Sequence, residues 1–461
     1  MSQQSGFSMA PSRAVRPGVL FAALGLVMLA TPGARASDTL DRELLKNAPK
    51  IIRYLKDHGY KNVGVLKFRV KKGDEPIGDH VGPLNLNLAD RLEIALVLAD
   101  DIRNPIGIIH GASAVAATLP GANHLTKSGR QALFRGRYPL AWGDQKVEAD
   151  VFLTGVVVVS PDLGQMTVGI MAFGKDGEAL EKVVEFTATT DAPALVEVGE
   201  SFMTRGAFDG GRVDVVKDEA ASEEAVRDQV VKTAARVKVA QVMHPLQDPE
   251  APVALEVYYD NQRIPLQLQD GKALIPEPRE GQAVLFVLRK VDTTPGKYGV
   301  VLSVNGENTL YKERLSPLQC WKWILSPETP AISVRGYQTG EKSAEAFRVL
   351  SPAESRANVM NYGADVGTIS MVVFREARGT KTRLALDDEA EDMAALTGGT
   401  YPRKPPENLA ALKFQLRSGA ANASTRGLIA EGKKIGATIR HLSFEPGPTP
   451  VMSATITYYR P

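Results

Sequence analysis

The hydrophobic positions change their period between the first and second halves of the chain. In residues 39–58 and 84–98, apolar side chains recur every three or four positions, which predicts helices. Pro49 predicts a break or kink in the first helix, and Asp90, Arg91 and Glu93 are expected to face water on the second. Residues 62–70 and 149–160 are alternating or continuous runs of Val, Leu and Phe, which predicts strands. This order of helices and strands predicts a mixed α/β domain at the start of the chain.

The run at residues 149–160 has the strongest strand character, and we predict that it is the central strand of this domain. A turn at residues 161–164 and a second run at 165–173 predict a hairpin partner. Gly155 lies in the middle of the run. Because a glycine lets another backbone approach closely, we expect the helix at 84–98 to cross the strand there.

From residue 253 to residue 375 the period changes to two. Short alternating runs are separated by turn pairs such as Asp270-Gly271 and Asn305-Gly306. Short strands at this spacing predict a sandwich or a barrel, and we favour an antiparallel β-sandwich. Residues 453–459 also alternate, so we expect the chain to end in a strand paired with this domain.

The sequence therefore predicts the α+β class, divided into five segments. These are a signal peptide (1–36), a mixed α/β domain (37–206), a helical connector (207–252), a β-sandwich domain (253–375) and a polar, partly flexible tail that ends in a strand (376–461). Within the connector, residues 218–242 predict a charged helix with a narrow valine stripe. That stripe either docks on the first domain or pairs with a partner helix.

The first 36 residues have the three parts of a secretory signal. Arg13 and Arg16 precede an apolar run at 19–30, and Ala34-Arg35-Ala36 matches a small-residue cleavage site. An uncleaved membrane anchor is the alternative, but the run is well short of the roughly 20 residues that span a bilayer. We expect an exported chain, periplasmic or extracellular, with no transmembrane segment after removal of the signal.

Charge and cysteine content narrow the function. The sequence has 55 basic and 53 acidic residues, and removal of the three arginines of the signal leaves a net charge of −1. A nearly neutral chain has no electrostatic footprint for nucleic acid. The single cysteine, Cys320, excludes an internal disulfide, and we interpret it as a buried thiol rather than a nucleophile.

One stretch resembles a known group of envelope domains. The strand Val-Gly-Val-Leu-Lys-Phe, the helix Leu-Ala-Asp-Arg-Leu-Glu-Ile-Ala-Leu and the run Ala-Asp-Val-Phe-Leu-Thr-Gly-Val-Val lie within residues 62–202. Together they resemble the periplasmic α/β domain of the curli secretion-channel protein, the flagellar outer-membrane accessory lipoprotein, the lipoprotein activators of penicillin-binding proteins and the amino-terminal domain of TolB. The resemblance implies an envelope protein. The chain departs from the pattern by an insertion of about forty residues between Ala99 and Lys146 and by the absence of a lipid-modified cysteine.

No motif identifies a reaction. Residues 427–434 match a phosphate-binding loop except at Lys434, where Ser or Thr holds magnesium. The six histidines show no zinc-ligand spacing. Asp74, Glu75 and Asp79 lack the spacing of a calcium loop and are typical of a solvated loop. We therefore predict no catalytic, cofactor-binding or metal-binding residues.

The candidate binding residues are aromatic. Trp321, Trp323 and Tyr337 belong to the main aromatic concentration of the chain. If these side chains are buried, they form a hydrophobic layer of the β-domain. If they are exposed, they are suited to binding a sugar or a peptide. We predict a non-enzymatic envelope protein that binds or scaffolds an envelope protein or a surface glycan. The alternatives are a structural secreted component and a carbohydrate-active or peptidase-type hydrolase with its site on the β-domain.

Overall fold

The computed structural model describes residues 39–176, 179–204, 219–349, 367–377, 388–398, 401–402, 404–420, 434–435 and 442–458. Within these residues helices and strands form a mixed α+β structure, which confirms the predicted class. The predicted signal peptide lies outside the described residues. No described helix combines the length and the apolar character needed to cross a membrane.

The helices include the two that the periodicity predicted. They are α1 (Leu40–Asp57), α2 (Leu84–Ala99), α3 (Ala112–Ala116), α4 (Lys127–Leu133), α5 (Ala192–Glu197), α6 (Glu219–Lys238), α7 (Asp388–Gly398) and α8 (Leu409–Ala420). Helix α1 continues through Pro49, so the predicted break is wrong. Proline removes one backbone donor, but Leu44, Ile51 and Leu55 are completely buried on one face. Packing of that face therefore holds the helix together.

The first half of the chain contains a sheet built around the predicted central strand and, outside it, a few short strands. The strands of this half are β1 (Asn62–Val65), β2 (Arg69–Lys72), β3 (Gly107–Ile108), β4 (Tyr138–Pro139), β5 (Lys146–Val147), β6 (Val151–Val159), β7 (Gln165–Gly174), β8 (Glu181–Thr189) and β9 (Phe202–Met203). The sheet order is β3-β1-β6-β7-β8, and β2 also pairs with β6. Strand β6 is parallel to β1 and β2 and antiparallel to β7, which confirms its central position.

Gly155 of β6 is close-packed, but not against a helix. Strands β1 and β2 run along β6 with a bulge at residues 66–68 between them. A side chain at Gly155 would overlap the ring of Phe68, which comes from this bulge, and the carbonyl oxygen of Gly169 on β7. The expected close approach exists, and its occupant is Phe68 rather than α2.

Each face of this sheet has its own core. Val151, Leu153 and Val157 of β6 face a core that also contains α1, α2 and α5. Phe152 faces the opposite way, into a smaller core built largely by the inserted residues 109–147. The insertion therefore covers part of the second face of the sheet.

The described residues of the second half form two larger sheets around one shared core and a separate three-stranded sheet. The strands of this half are β10 (Val253–Tyr259), β11 (Gln262–Arg263), β12 (Gln267–Gln269), β13 (Lys272–Leu274), β14 (Val284–Lys290), β15 (Tyr298–Val304), β16 (Glu307–Asn308), β17 (Trp323–Leu325), β18 (Ala331–Val334), β19 (Gly336–Gly340), β20 (Ser343–Ala346), β21 (Thr368–Arg375), β22 (Lys434–Ile435) and β23 (Met452–Thr457). One larger sheet has the order β11-β10-β14-β18 and the other β12-β13-β23-β21-β15-β16. Leu255 and Phe286 of the first pack in the same cluster as Leu302 and Met371 of the second.

Several contacts cross the predicted domain boundaries, which themselves remain predictions. Strand β9 pairs with β23, so the α/β part and the last strand share a sheet. Val230, Ala234 and Val237 of α6 are buried, and α6 packs against α5 and β9, so the valine stripe docks on its own chain. Helices α7 and α8 add Leu396 and Leu412 to the first core.

Candidate functional site

Helix α2 carries charged side chains into the interior. The sequence predicted that Asp90, Arg91 and Glu93 face water. Asp90 is exposed, but the prediction is wrong for Arg91 and Glu93, which are 8% and 2% exposed. The reason is that α2 is covered on several sides, by α1 and the sheet and also by α7 and α8 from far along the chain.

Arg91 has a structural role. Its guanidinium donates to Asp41 Oδ1 of α1 at 3.0 Å and to Glu197 Oε1 of α5. Burial alone would lower the pKa of Arg91, but the two carboxylates outweigh it and raise the pKa. Arg91 therefore stays charged and ties three helices together.

Glu93 holds the loop that follows β3. Its Oε1 accepts a hydrogen bond from His110 Nδ1 at 2.8 Å, and its Oε2 accepts one from the backbone N–H of Gly111 at 3.0 Å. Gly111 has a φ of +60°, which a glycine adopts without strain. Both oxygens of the buried carboxylate are therefore satisfied, and the orientation of His110 is fixed.

His110 is the accessible partner of this pair, with a side chain that is 45% exposed. Burial would lower the pKa of His110, but the Glu93 carboxylate and its hydrogen bond outweigh that effect and raise it. Since Nδ1 is engaged by Glu93, Nε2 is the nitrogen left for a ligand or for proton exchange.

Tyr401, which is far from His110 in the sequence, packs against the His110 ring. The two ring centroids are 4.0 Å apart. The Tyr401 hydroxyl is buried near Glu93, and no hydrogen bond of normal geometry satisfies it within the described residues. Burial and the Glu93 carboxylate raise the pKa of Tyr401, so it remains a neutral donor.

Asp90 completes the group, which we name the acid–histidine cluster: Asp90, Glu93, His110 and Tyr401. Although Asp90 is solvent-exposed, withdrawal of water by the surrounding protein and the charge of Glu93 raise its pKa to about 7. His110 and Arg314, which follows β16, partly oppose this shift. The cluster thus presents a carboxyl group, an imidazole and a phenol that can donate, accept or exchange protons near neutral pH.

The described residues hold no group of three or more His, Cys, Asp or Glu side chains arranged for a metal ion. Cys320 is buried, as predicted, and burial raises the pKa of its thiol to about 12.

The predicted aromatic residues lie elsewhere and only partly together. The Trp323 indole donates to Thr309 Oγ1 at 2.9 Å, and the Tyr337 hydroxyl donates to the Val304 carbonyl at 3.1 Å. Both side chains are half-buried against the core shared by the two later sheets. Trp321 precedes β17 and contacts Tyr311 edge to face. A binding role for these three residues remains a prediction.

Sequence reasoning missed the acid–histidine cluster, although one signal was present. Residues 92–98 of α2 are apolar except for Glu93, which is typical of a helix buried all round. A carboxylate in such a helix needs a partner, because an unpaired buried charge is costly. Nothing in the sequence could identify His110, Tyr401 or Arg314 as its neighbours.

Comparisons with known proteins do not identify the chain. Neither the protein-family models nor the curated proteins gave a match. Among solved structures, the NMR structure of E. coli LpoB is similar at 11% sequence identity and a TM-score of 0.22, covering 41% of this chain and 86% of that one. A TM-score this low does not establish a shared fold.

Proposed function

We propose that this chain is an exported cell-envelope protein that binds an envelope or surface partner, and that the partner binds at the acid–histidine cluster. The supporting observation is the assembly of this cluster from separate segments around an accessible carboxyl group. Asp90 and Glu93 come from α2, His110 from the loop after β3, and Tyr401 from the segment before α8. Binding sites occur preferentially where such segments meet.

The chemistry of the cluster favours a polar partner group. Asp90 and His110 are its exposed members, and the buried Glu93 keeps the imidazole in place. A protonated amine or a hydroxyl-rich sugar fits this set of donors and acceptors. Deprotonation of Asp90 makes the cluster more negative, so we expect an amine to bind more tightly as the pH rises through about 7.

The test is capture of cross-linked partners from intact envelopes. We expect Asp90→Asn to reduce the recovered partner at least about tenfold, since a charge-assisted hydrogen bond contributes about 1.5 to 3 kcal/mol. The matched control is Asp57→Asn, the same change at an exposed position at the end of α1. Equal recovery with wild type and with Asp90→Asn would refute this site.

One observation favours hydrolysis as a second candidate. Asp90 and Glu93 are two interacting carboxyl groups, and a pKa of about 7 suits a general acid or base. This observation supports a site on α2 rather than on the β-domain. Incubation of the purified chain with isolated envelope polysaccharide or peptides would then release products. Asp90→Asn should lower that rate about 100-fold or more while leaving partner capture intact.

A further inference from the structure

A second cluster lies at the bulge between β1 and β2 and consists of basic side chains. The bulge is fixed on both sides of Lys67: its backbone N–H donates to Ser113 Oγ at 2.9 Å, and its carbonyl accepts from Thr154 Oγ1 at 2.9 Å. This geometry leaves Lys67 only 1% exposed. A lysine is rarely buried so completely, and below the surface its charge acts strongly on its neighbours.

Other basic side chains surround the bulge. His124 is 3% exposed, and its Nε2 lies 3.5 Å from Thr154 Oγ1. Arg130, which is 8% exposed, donates through Nη1 to the His124 carbonyl at 3.0 Å. Arg69, two residues after Lys67, acts on His124 together with Lys67 and Arg130, and Lys67 also acts on His80. We name these five side chains the basic cluster: Lys67, Arg69, His80, His124 and Arg130.

Cationic neighbours in the cluster lower the pKa values of both histidines. Burial and the neighbouring Arg69, Arg130 and Lys67 lower the pKa of His124 to about 3. Burial and Lys67 lower the pKa of His80 to about 4, although Asp79, 3.5 Å from its Nε2, opposes the shift. Both histidines are therefore neutral at pH 7.

A second, independent observation points to a ligand. The side chain of His80 is only 10% exposed, and its Nδ1 is buried with no hydrogen-bond partner among the described residues. Nearly all buried polar atoms in proteins are hydrogen-bonded, so such an atom indicates a bound water or ligand. Its position beside buried like charges favours an acceptor that carries negative charge.

We propose that the basic cluster binds a small oxyanion: a phosphate, sulfate or carboxylate group. Lys67 and Arg69 supply the charge, Arg130 reinforces it, and His80 donates a hydrogen bond through Nδ1. Because Lys67 and His124 lie below the surface, the occupant is a free oxyanion or the acidic group of a small soluble ligand rather than a head group held in a bilayer. This site is separate from the acid–histidine cluster, so the oxyanion proposal is tested independently of the partner proposed there.

The test uses the mature chain and inorganic phosphate, with ionic strength held constant by chloride. About 10 mM phosphate at pH 7.5 should raise the thermal midpoint by about 2 °C or more, because a ligand stabilises the state that binds it. Lys67→Met should abolish the increase. Lys182→Met, the same change at an exposed position on β8, should retain it. Anionic vesicles should neither shift the midpoint nor carry the chain with them on flotation.

A second measurement does not depend on the stability of the variant. Histidine NMR titration of the wild type should show the pKa values of His80 and His124 rising by about one unit or more in phosphate, since a nearby anion favours the charged form. His110 should not move. An unchanged midpoint together with unchanged histidines, retention of the phosphate effect in Lys67→Met, or binding to vesicles would each overturn the proposal.

Discussion

His110 and His124 are the same residue type, and their environments change the pKa in opposite directions. Glu93 raises the pKa of His110, whereas Lys67, Arg69 and Arg130 help to lower that of His124 to about 3. Burial alone would lower both. An adjacent carboxylate can thus outweigh burial and raise a histidine pKa, whereas adjacent cations add to the lowering that burial causes.

The two clusters also differ in how their charges are satisfied. In the acid–histidine cluster, Glu93 uses both carboxylate oxygens in hydrogen bonds within the chain. In the basic cluster, His80 Nδ1 has no partner among the described residues. The first cluster therefore fixes its own buried charge and can present Asp90 outward, while the second is suited to an anion from outside the chain.

The largest effect should come from substitution of Gly155, which packs against the bulge at residues 66–68. Gly155→Val overlaps Phe68 and the Gly169 carbonyl, and overpacking of this kind costs about 1 to 3 kcal/mol. We expect a thermal midpoint several degrees lower, together with altered titration of His124 but not of His110. The control is Gly169→Val, because the nearest atoms to an added Cβ there are 3.9 Å away. A midpoint equal to that of wild type would contradict the close packing.

The second-largest effect should be a loss of stability in acid, caused by the histidines of the basic cluster. Because the folded pKa values of His80 and His124, about 4 and 3, lie below the ordinary 6.5, only the unfolded chain binds these protons between pH 6.5 and 4. The stability they contribute is complete above pH 6.5 and decreases as the pH falls toward 4.

Thermal midpoints measured from pH 7.5 to 4.5 check this loss. Lys67→Met should make the loss of stability smaller, by about 1.4 kcal/mol of unfolding free energy for each unit by which the pKa of His80 or His124 rises. Lys182→Met should leave the slope unchanged. The same slope in both variants would show that Lys67 does not control these histidines.

Glu93→Gln should reverse the behaviour of His110. The folded pKa of His110 is raised, so its contribution to stability is complete below pH 6.5 and is lost as the pH rises through the folded value. Without the carboxylate, we expect the pKa of His110 to fall by about one unit or more in an NMR titration. The control is Glu185→Gln, the same change at an exposed position on β8. His124 should not respond in either variant.

The smallest effect should be the response of Asp90 to removal of the Glu93 charge, because Asp90 is exposed. Carboxyl NMR should find its midpoint raised toward 7, with Asp57 of α1 as an exposed aspartate for comparison. In Glu93→Gln the Asp90 midpoint should move down, since one nearby negative charge is removed. An Asp90 midpoint near 4 in the wild type would remove the basis for proton exchange at this cluster.

The sequence predicted elements whose signal is local. The β-branched run of β6 and the alternation of β23 were identified because their hydrophobic periods extend over many residues. The clusters depend on contacts between distant segments, such as Tyr401 against His110, and no local pattern contains those. Even at Gly155 the close approach was predicted with the wrong occupant, α2 in place of Phe68, because the bulge that places Phe68 there is a property of strand pairing.

The position of β23 bears on when the protein can fold. This strand lies between β13 and β21, and the backbone N–H of Thr455 donates to Ser201 Oγ, 254 positions earlier in the chain. Contacts of such high sequence separation form late and slowly. Until residues 452–457 emerge, β13 and β21 expose unpaired edges of the kind that seed aggregation. During synthesis, the chain must therefore be kept from misassembly until β23 is available.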